Sequence, residues 1–98
     1  MKDSNERPLP SDVPVEDTLT ISEFLHSVHH PQEDMTRATI RFGQYAFNQY
    51  RKTYGRPPYT RRINGNGPVK VYLDPIEYIF LSRTYNQWRR RQQGKEHA

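Results

Sequence analysis

The sequence predicts an α+β fold: a small single domain ordered helix-helix-β-hairpin-helix, with a disordered N-terminal leader. Three observations carry that expectation. Between Met35 and Tyr54, apolar and aromatic residues fall at Met35, Ala38, Phe42, Ala46 and Tyr50, in steps of three or four, which is the helical period. Around Asn64-Gly65-Asn66-Gly67-Pro68, two short β-prone runs face each other, and the second alternates cleanly through Val69, Val71 and Leu73. Asp74-Pro75-Ile76-Glu77 then has the form of a helix start, with Asp as cap, Pro at the first helical position and Glu at the third.

In chain order, residues 1–17 come first. They hold three prolines and no aromatic residue, too little apolar surface to offset the entropy of ordering, so a disordered or loosely attached acidic leader is expected. The folded domain is expected over residues 18–94, with 95–98 as a C-terminal tail. Thr20-Ile21-Ser22-Glu23 matches the capping box, in which Glu23 reaches back to the cap. A short helix from Ile21 to about His29 follows, burying Ile21, Phe24, Leu25 and Val28 and ended by Pro31. The long helix comes next, with Pro31 as its earliest first residue and Gly55 as its stop. Ile40, Phe47 and Tyr54 form a second apolar row beside the first, so a wide buried stripe is expected. Pro57 and Pro58 impose an extended passage, leading into strands at Tyr59–Ile63 and Val69–Leu73. The second strand should turn Val69, Val71 and Leu73 inward and Lys70 and Tyr72 outward. The last helix should run to roughly Gln92, stopped by Gly94. Its inward row is expected at Ile76, Ile79, Phe80 and Thr84, with Leu81, Tyr85 and Trp88 beside it. Phe42 and Trp88 are both expected in the core.

Ninety-eight residues allow one modest core, and mean hydropathy is −1.08. Without cysteine there is no disulfide framework, no thiol nucleophile and no Cys-ligated zinc. The absence of a long apolar run and of an apolar stretch near the N-terminus makes a cytoplasmic protein without a membrane role the expectation. Charge is divided sharply along the chain. Residues 1–34 hold two basic and eight acidic side chains, whereas residues 35–98 hold thirteen basic against three acidic. An acidic leader on a basic body points to an anionic partner for the body.

Arg41-Phe-Gly-Gln-Tyr-Ala-Phe-Asn48 resembles the R-x-G-Q-x-x-F-N pattern of small uncharacterised proteins from bacteria and bacteriophages. Those proteins often open with a short helix like Ile21–Leu25 and carry an Asp-Pro followed by aromatics, as at Asp74-Pro75 and Tyr78. The resemblance spans about residues 20–80 and implies a compact accessory protein of phage or mobile-element type. Within the motif, Gly43 in mid-helix costs up to about 1 kcal/mol against Ala, so a neighbouring element should approach there. Gln44 and Asn48, one turn apart, are placed to bond that neighbour's backbone.

His26, His29 and His30, with Glu23, Glu33 and Asp34 nearby, are the one group with metal-ligand character. Pro31 breaks the spacing and no third ligand is fixed, so surface histidines are expected and no metal or cofactor. Gly65-Asn66-Gly67 joins two strands, whereas a phosphate loop joins a strand to a helix, so it reads as a hairpin tip. Seven tyrosines beside arginines raise strand-transfer chemistry, but no triad or carboxylate pair supports it, and no enzymatic activity is expected. The functional signal lies in basic residues interleaved with aromatics. Arg51, Lys52, Arg56, Tyr59, Arg62, Lys70 and Tyr72 form one expected binding group, with Arg89, Arg90 and Arg91 as a second. Cations meet phosphates and aromatic rings stack on bases. Arg61 should point away from Arg62 and serve the fold. The expected function is that of a small basic accessory protein that binds nucleic acid, DNA or RNA. The alternative is a phage-type inhibitor or adaptor, acting in host takeover, that docks on an acidic surface of a host polymerase or defence enzyme. No small-molecule substrate is expected.

Overall fold

The computed structural model describes residues 7–62 and 67–97, with side chains described as far as Gln93. Expectations for Ile63 and for the turn at Asn64–Asn66 lie outside the described residues. In chain order come a 3-10 turn at Val15–Asp17, strand β1 (Thr18–Leu19), helix α1 (Ile21–Ser27) and a second 3-10 turn at Gln32–Asp34. Helix α2 (Met35–Tyr54), strands β2 (Tyr59–Arg62) and β3 (Pro68–Leu73), and helix α3 (Tyr78–His97) complete the domain. The three strands form an antiparallel sheet in the order β1-β3-β2, and the whole is an α+β domain.

The capping box forms as its residues dictate: the Glu23 amide donates to the Thr20 hydroxyl, and the Thr20 amide donates to the Glu23 carboxylate. α1 stops at Ser27, two residues short of expectation, because His29 adopts a left-handed φ of 60°. α2 has its expected bounds, and Gly55 closes it in the left-handed conformation, φ 72°, that glycine adopts without a Cβ penalty.

Met35, Ala38, Phe42, Ala46 and Tyr50 of α2 are buried. Phe42 lies 5.4 Å from the Tyr85 ring and 5.5 Å from Trp88, both on α3, and 5.9 Å from Phe24 on α1. The second row does not join the core. Ile40 is 69% exposed and Tyr54 37%, and Phe47 is half-buried. Among the described residues, no element covers that side of α2 along its full length.

Two expectations for the chain around α3 are corrected. Asp74–Glu77 is a turn, and α3 begins only at Tyr78. The Glu77 carboxylate does not cap the helix. It is buried, with one oxygen accepting from the Leu73 amide at 2.9 Å and the other from the Tyr50 hydroxyl at 2.6 Å. The inward row is Leu81, Thr84, Tyr85 and Trp88, whereas Ile76 and Ile79 face solvent. α3 also runs through Gly94 to His97.

The sheet has two covered faces. Register pairs Tyr59 with Val71, Thr60 with Lys70, Arg61 with Val69 and Arg62 with Pro68. Directly opposed residues share a face, so Thr60, Arg62, Lys70 and Tyr72 lie on one side and Tyr59, Arg61, Val69 and Val71 on the other. The first side meets the helices: Tyr72 is fully buried, 5.6 Å from Tyr50 and 6.5 Å from Phe80. Tyr72 is therefore not outward, because α2 and α3 lie over its half of that face.

The leader covers the second side. The Leu9 amide donates to the Thr60 carbonyl, and the Thr60 amide to the Arg7 carbonyl, along the free edge of β2. β1 pairs on the opposite edge, along β3. Residues 10–17 must cross between those edges, and Arg61 bonds the Val15 carbonyl and the Thr18 hydroxyl on the way. From Arg7 onward the leader is thus a strap held by backbone bonds, and Val71 beneath it is fully buried. Composition could not reveal this, because the bonds along β2 are made by the main-chain amide of Leu9 and the carbonyl of Arg7, groups that any non-proline residue would supply.

Candidate nucleic-acid interface

The ten residues expected at the interface divide into two patches and two exceptions. Arg51 lies one turn beyond Phe47 on α2, with its guanidinium 5.8 Å from the Phe47 ring centre. Lys70, on β3, brings its ammonium 4.8 Å from the same ring. Arg62 shares the Lys70 face of the hairpin and is exposed. Lys52 is exposed in the last turn of α2, and Arg56 lies 5.5 Å over the Tyr54 ring just beyond it. Phe47 therefore joins the end of α2 to the hairpin in one basic patch.

Arg89, Arg90 and Arg91 lie elsewhere. Tyr50 and Tyr54 meet Phe80 near the start of α3, whereas Trp88 meets Phe42 and His30. The two long helices therefore run antiparallel, with Arg89 beside His30 and Asp34 at the entry to α2 and Arg90 and Arg91 beside Tyr45 near its middle. Arg91 lies 5.6 Å over the Tyr45 ring, and Arg89 donates to the Tyr85 hydroxyl at 2.9 Å.

The exceptions are the two tyrosines. Tyr72 is buried, as described above, and burial pushes its phenol well above the ordinary range. Tyr59 lies on the strap face of the sheet, under the Arg7 guanidinium at 4.1 Å. Neither ring is presented with Lys70 and Arg62. The aromatic that does stand among those cations is Phe47, a residue whose spacing alone assigned it to the core.

Among the described residues the ion pairs are His30–Asp34, Arg37–Asp34 and Arg61–Glu23. None involves Arg51, Lys52, Arg56, Arg62, Lys70, Arg89, Arg90 or Arg91. Arg61 is a different kind of residue. Its side chain is 12% exposed and staples the strap and α1 to β2 through Val15, Thr18 and Glu23.

Between α1, α2 and β3 runs an open groove of about 570 Å³, lined by Ile21, Ile40, Gly43, Phe47, Val69 and Lys70. A Cβ on Gly43 would meet Ile21 carbons at 3.8 and 3.9 Å, ordinary contact, so α1 does come close there. Gln44 and Asn48 bond each other at 3.4 Å rather than a neighbour's backbone.

The histidines do not converge. His26 and His29 are exposed, and no group of three or more potential metal ligands occurs among the described residues. His30 is buried, contrary to the expected surface position, and is held at both nitrogens. Nε2 donates to the Asp34 carboxylate at 2.8 Å, and Nδ1 lies 2.7 Å from the Tyr85 hydroxyl. Arg37 makes two further bonds to Asp34, at 2.6 and 3.0 Å. Those bonds from Arg37, then the one from His30, hold the Asp34 carboxyl down at about 2.

α3 carries further exposed polar residues outside the ten expected at the interface. Opposite its buried row stand Arg83, Asn86 and Gln87, all exposed. Helical spacing counted from Leu81, Thr84, Tyr85 and Trp88 places them outward, whereas an inward row counted from Ile76 and Ile79 hides them. No described helix is long and apolar enough to cross a membrane. Comparison with family models, curated proteins and solved structures gave no match.

Proposed function

We propose that this chain is a small basic accessory protein, without enzymatic activity, that binds nucleic acid through its cationic surface. The observation that carries the reading is the lack of compensation: none of the eight cations expected at the interface is ion-paired among the described residues. A solubilising surface mixes both signs, whereas a phosphate-binding one leaves its cations available. The half-buried aromatic Phe47, with Arg51 and Lys70 beside it, adds a ring against which a nucleotide can rest.

Arg62→Glu combined with Lys70→Glu should abolish binding to a nucleic-acid probe and leave the thermal midpoint within a few degrees of the parent. Arg61→Glu should instead lower the midpoint, because it breaks the staple to Val15, Thr18 and Glu23. Log affinity should fall linearly with log salt, by roughly 0.7 to 0.9 per phosphate contacted. Affinity that ignores salt, or survives the double reversal, would remove this reading.

A second reading, docking on an acidic protein surface, is favoured by the groove. Ile40 is 69% exposed on its wall and Lys70 stands on its rim, the pattern of an apolar contact edged by charge. Recovery of one stoichiometric protein from nuclease-treated lysate, lost on Ile40→Asp, would put that reading first.

A further inference from the structure

α3 is amphipathic in an unusual sense: the face away from the core is cationic and amide-bearing, with no acid. From Tyr78 to Gln93 the sequence contains neither Asp nor Glu. At 3.6 residues per turn, Ile79, Arg83, Asn86, Gln87, Arg90 and Gln93 share one face, directly opposite Leu81, Thr84, Tyr85 and Trp88. All six of the outer residues are exposed, and the four inner ones are buried. Arg89 and Arg91 fall on the two flanks, one on each side of that row. Both flanking arginines are braced, Arg89 by the Tyr85 hydroxyl and Arg91 by the Tyr45 ring.

We infer that this outer face of α3 is a duplex-reading surface, lying in the major groove of double-stranded DNA with Arg83, Asn86 and Gln87 on base edges and Arg89 and Arg91 on phosphates. The chemistry favours that target over others. Arginine forks onto guanine O6 and N7, and asparagine and glutamine bond adenine N6 and N7, all on the major-groove edge. A helix about 10–12 Å across fits a groove about 12 Å wide. Flanking cations match the two phosphate ridges, and bracing holds them apart from the reading row. The deep, narrow major groove of an RNA duplex excludes a helix, so DNA is the duplex concerned. Unpaired strands would call for stacking rings, and the outer face carries none. Ile79, 59% exposed near the helix start, is placed for a thymine methyl.

The inference rests on the nucleic-acid reading above and specifies its target. The test uses the full chain and a pool of duplexes about 30 base pairs long with a randomised centre. The selected duplex is then compared with a scrambled duplex and with its own single strands. Selected duplex should bind best, and methylation of guanine N7 should interfere. Arg83→Ala and Gln87→Ala should each lower the selected-to-scrambled affinity ratio by about fivefold to a hundredfold. Arg83→Lys, which keeps the charge and loses the fork, should lower that ratio while general affinity persists. It serves equally if Arg83→Ala fails to fold. Arg62→Glu with Lys70→Glu should abolish binding to both duplexes alike. A pool that yields no preferred sequence, a preference for single strands, or a ratio unmoved by Arg83→Lys and Gln87→Ala overturns the inference. In those cases salt-dependent binding still leaves nucleic-acid binding standing. Absence of binding to any of these probes at low salt removes both.

Discussion

Two rows of side chains run along α2, and the fold uses them in opposite ways. Met35, Ala38, Phe42, Ala46 and Tyr50 are enclosed, whereas Ile40, Phe47 and Tyr54, also apolar and set seven residues apart along a neighbouring line, remain wholly or partly open. Their chemistry is alike; their neighbours are not. α1 and α3 arrive on the inner row with Phe24, Tyr85 and Trp88, while the outer row meets the rim of β3, the first turn of α1 and, at Tyr54, the edge of Phe80. Periodicity thus marks the faces of a helix that can be buried. Which one is buried depends on how many elements the topology brings to it. The face left over becomes the wall of a groove and the ring beneath two cations.

The largest effect that separates the rows comes from truncating one aromatic in each. Phe42 is fully enclosed by three rings on two helices, so Phe42→Ala should cost on the order of 3–5 kcal/mol. Phe47→Ala removes a half-buried ring and should cost about 1 kcal/mol or less, while weakening nucleic-acid binding through Arg51 and Lys70. Urea denaturation of both variants measures the contrast. Equal losses would mean that the two rows are equally covered.

The inner row ends in a polar lock, which offers a finer comparison. Tyr50 and Tyr72 lie edge to face at 5.6 Å, both fully buried. The Tyr50 hydroxyl donates to Glu77, whereas the Tyr72 hydroxyl has no hydrogen-bond partner among the described residues. Tyr50→Phe strips a buried carboxylate of one donor and should destabilise by about 1–3 kcal/mol. Tyr72→Phe removes a desolvated hydroxyl that gains nothing, and should be neutral or stabilising by up to about 1 kcal/mol. Thermal midpoints of the two variants should therefore move apart. A matching loss in Tyr72→Phe would show that its hydroxyl is satisfied in solution.

Much of the fold could be read from local sequence, where one residue's chemistry decides. The Thr20–Glu23 box, the Gly55 stop, the inner row of α2 and the pairing of β2 with β3 all belong to that class. What escaped depended on distant partners. β1 is two residues long, too short for alternation to register, and exists because β3 offers it an edge. Glu77 has the sequence position of a capping acid, but Tyr50 and the Leu73 amide bind it first. Tyr72 alternates with Val71, a pattern that places one of the two outward, yet the strap and the helices cover both faces, so both residues are buried. The same limit applied to the interface. Charge identified Arg51, Arg62 and Lys70 correctly as exposed cations, but the ring among them, Phe47, could be found only once the uncovered side of α2 was known.

The smallest expected effect lies at the other end of the inner row, beside Met35. There Asp34 gathers Arg37 and His30, and His30 passes the connection on to Tyr85 and Arg89 of α3. The Asp34 carboxyl is depressed to about 2 from an ordinary value of 3.8, so the folded state favours its ionised form. A depressed carboxyl contributes stability that is fully present above about pH 4 and is lost as the pH falls towards 2. Asp34 is partly exposed and Arg37 lies largely in solvent, so screening keeps this contribution well below that of the buried Glu77 lock. Asp34→Asn keeps the shape and removes the titration. The thermal midpoint of the parent should exceed that of Asp34→Asn at pH 6, and the gap should narrow steadily between pH 4 and pH 2. Added salt at pH 6 should shrink the gap as well, since the Arg37 partner is open to counterions. A gap that stays constant across that range would assign the cost of Asp34→Asn to the altered hydrogen bonding of His30 alone, with no contribution from charge.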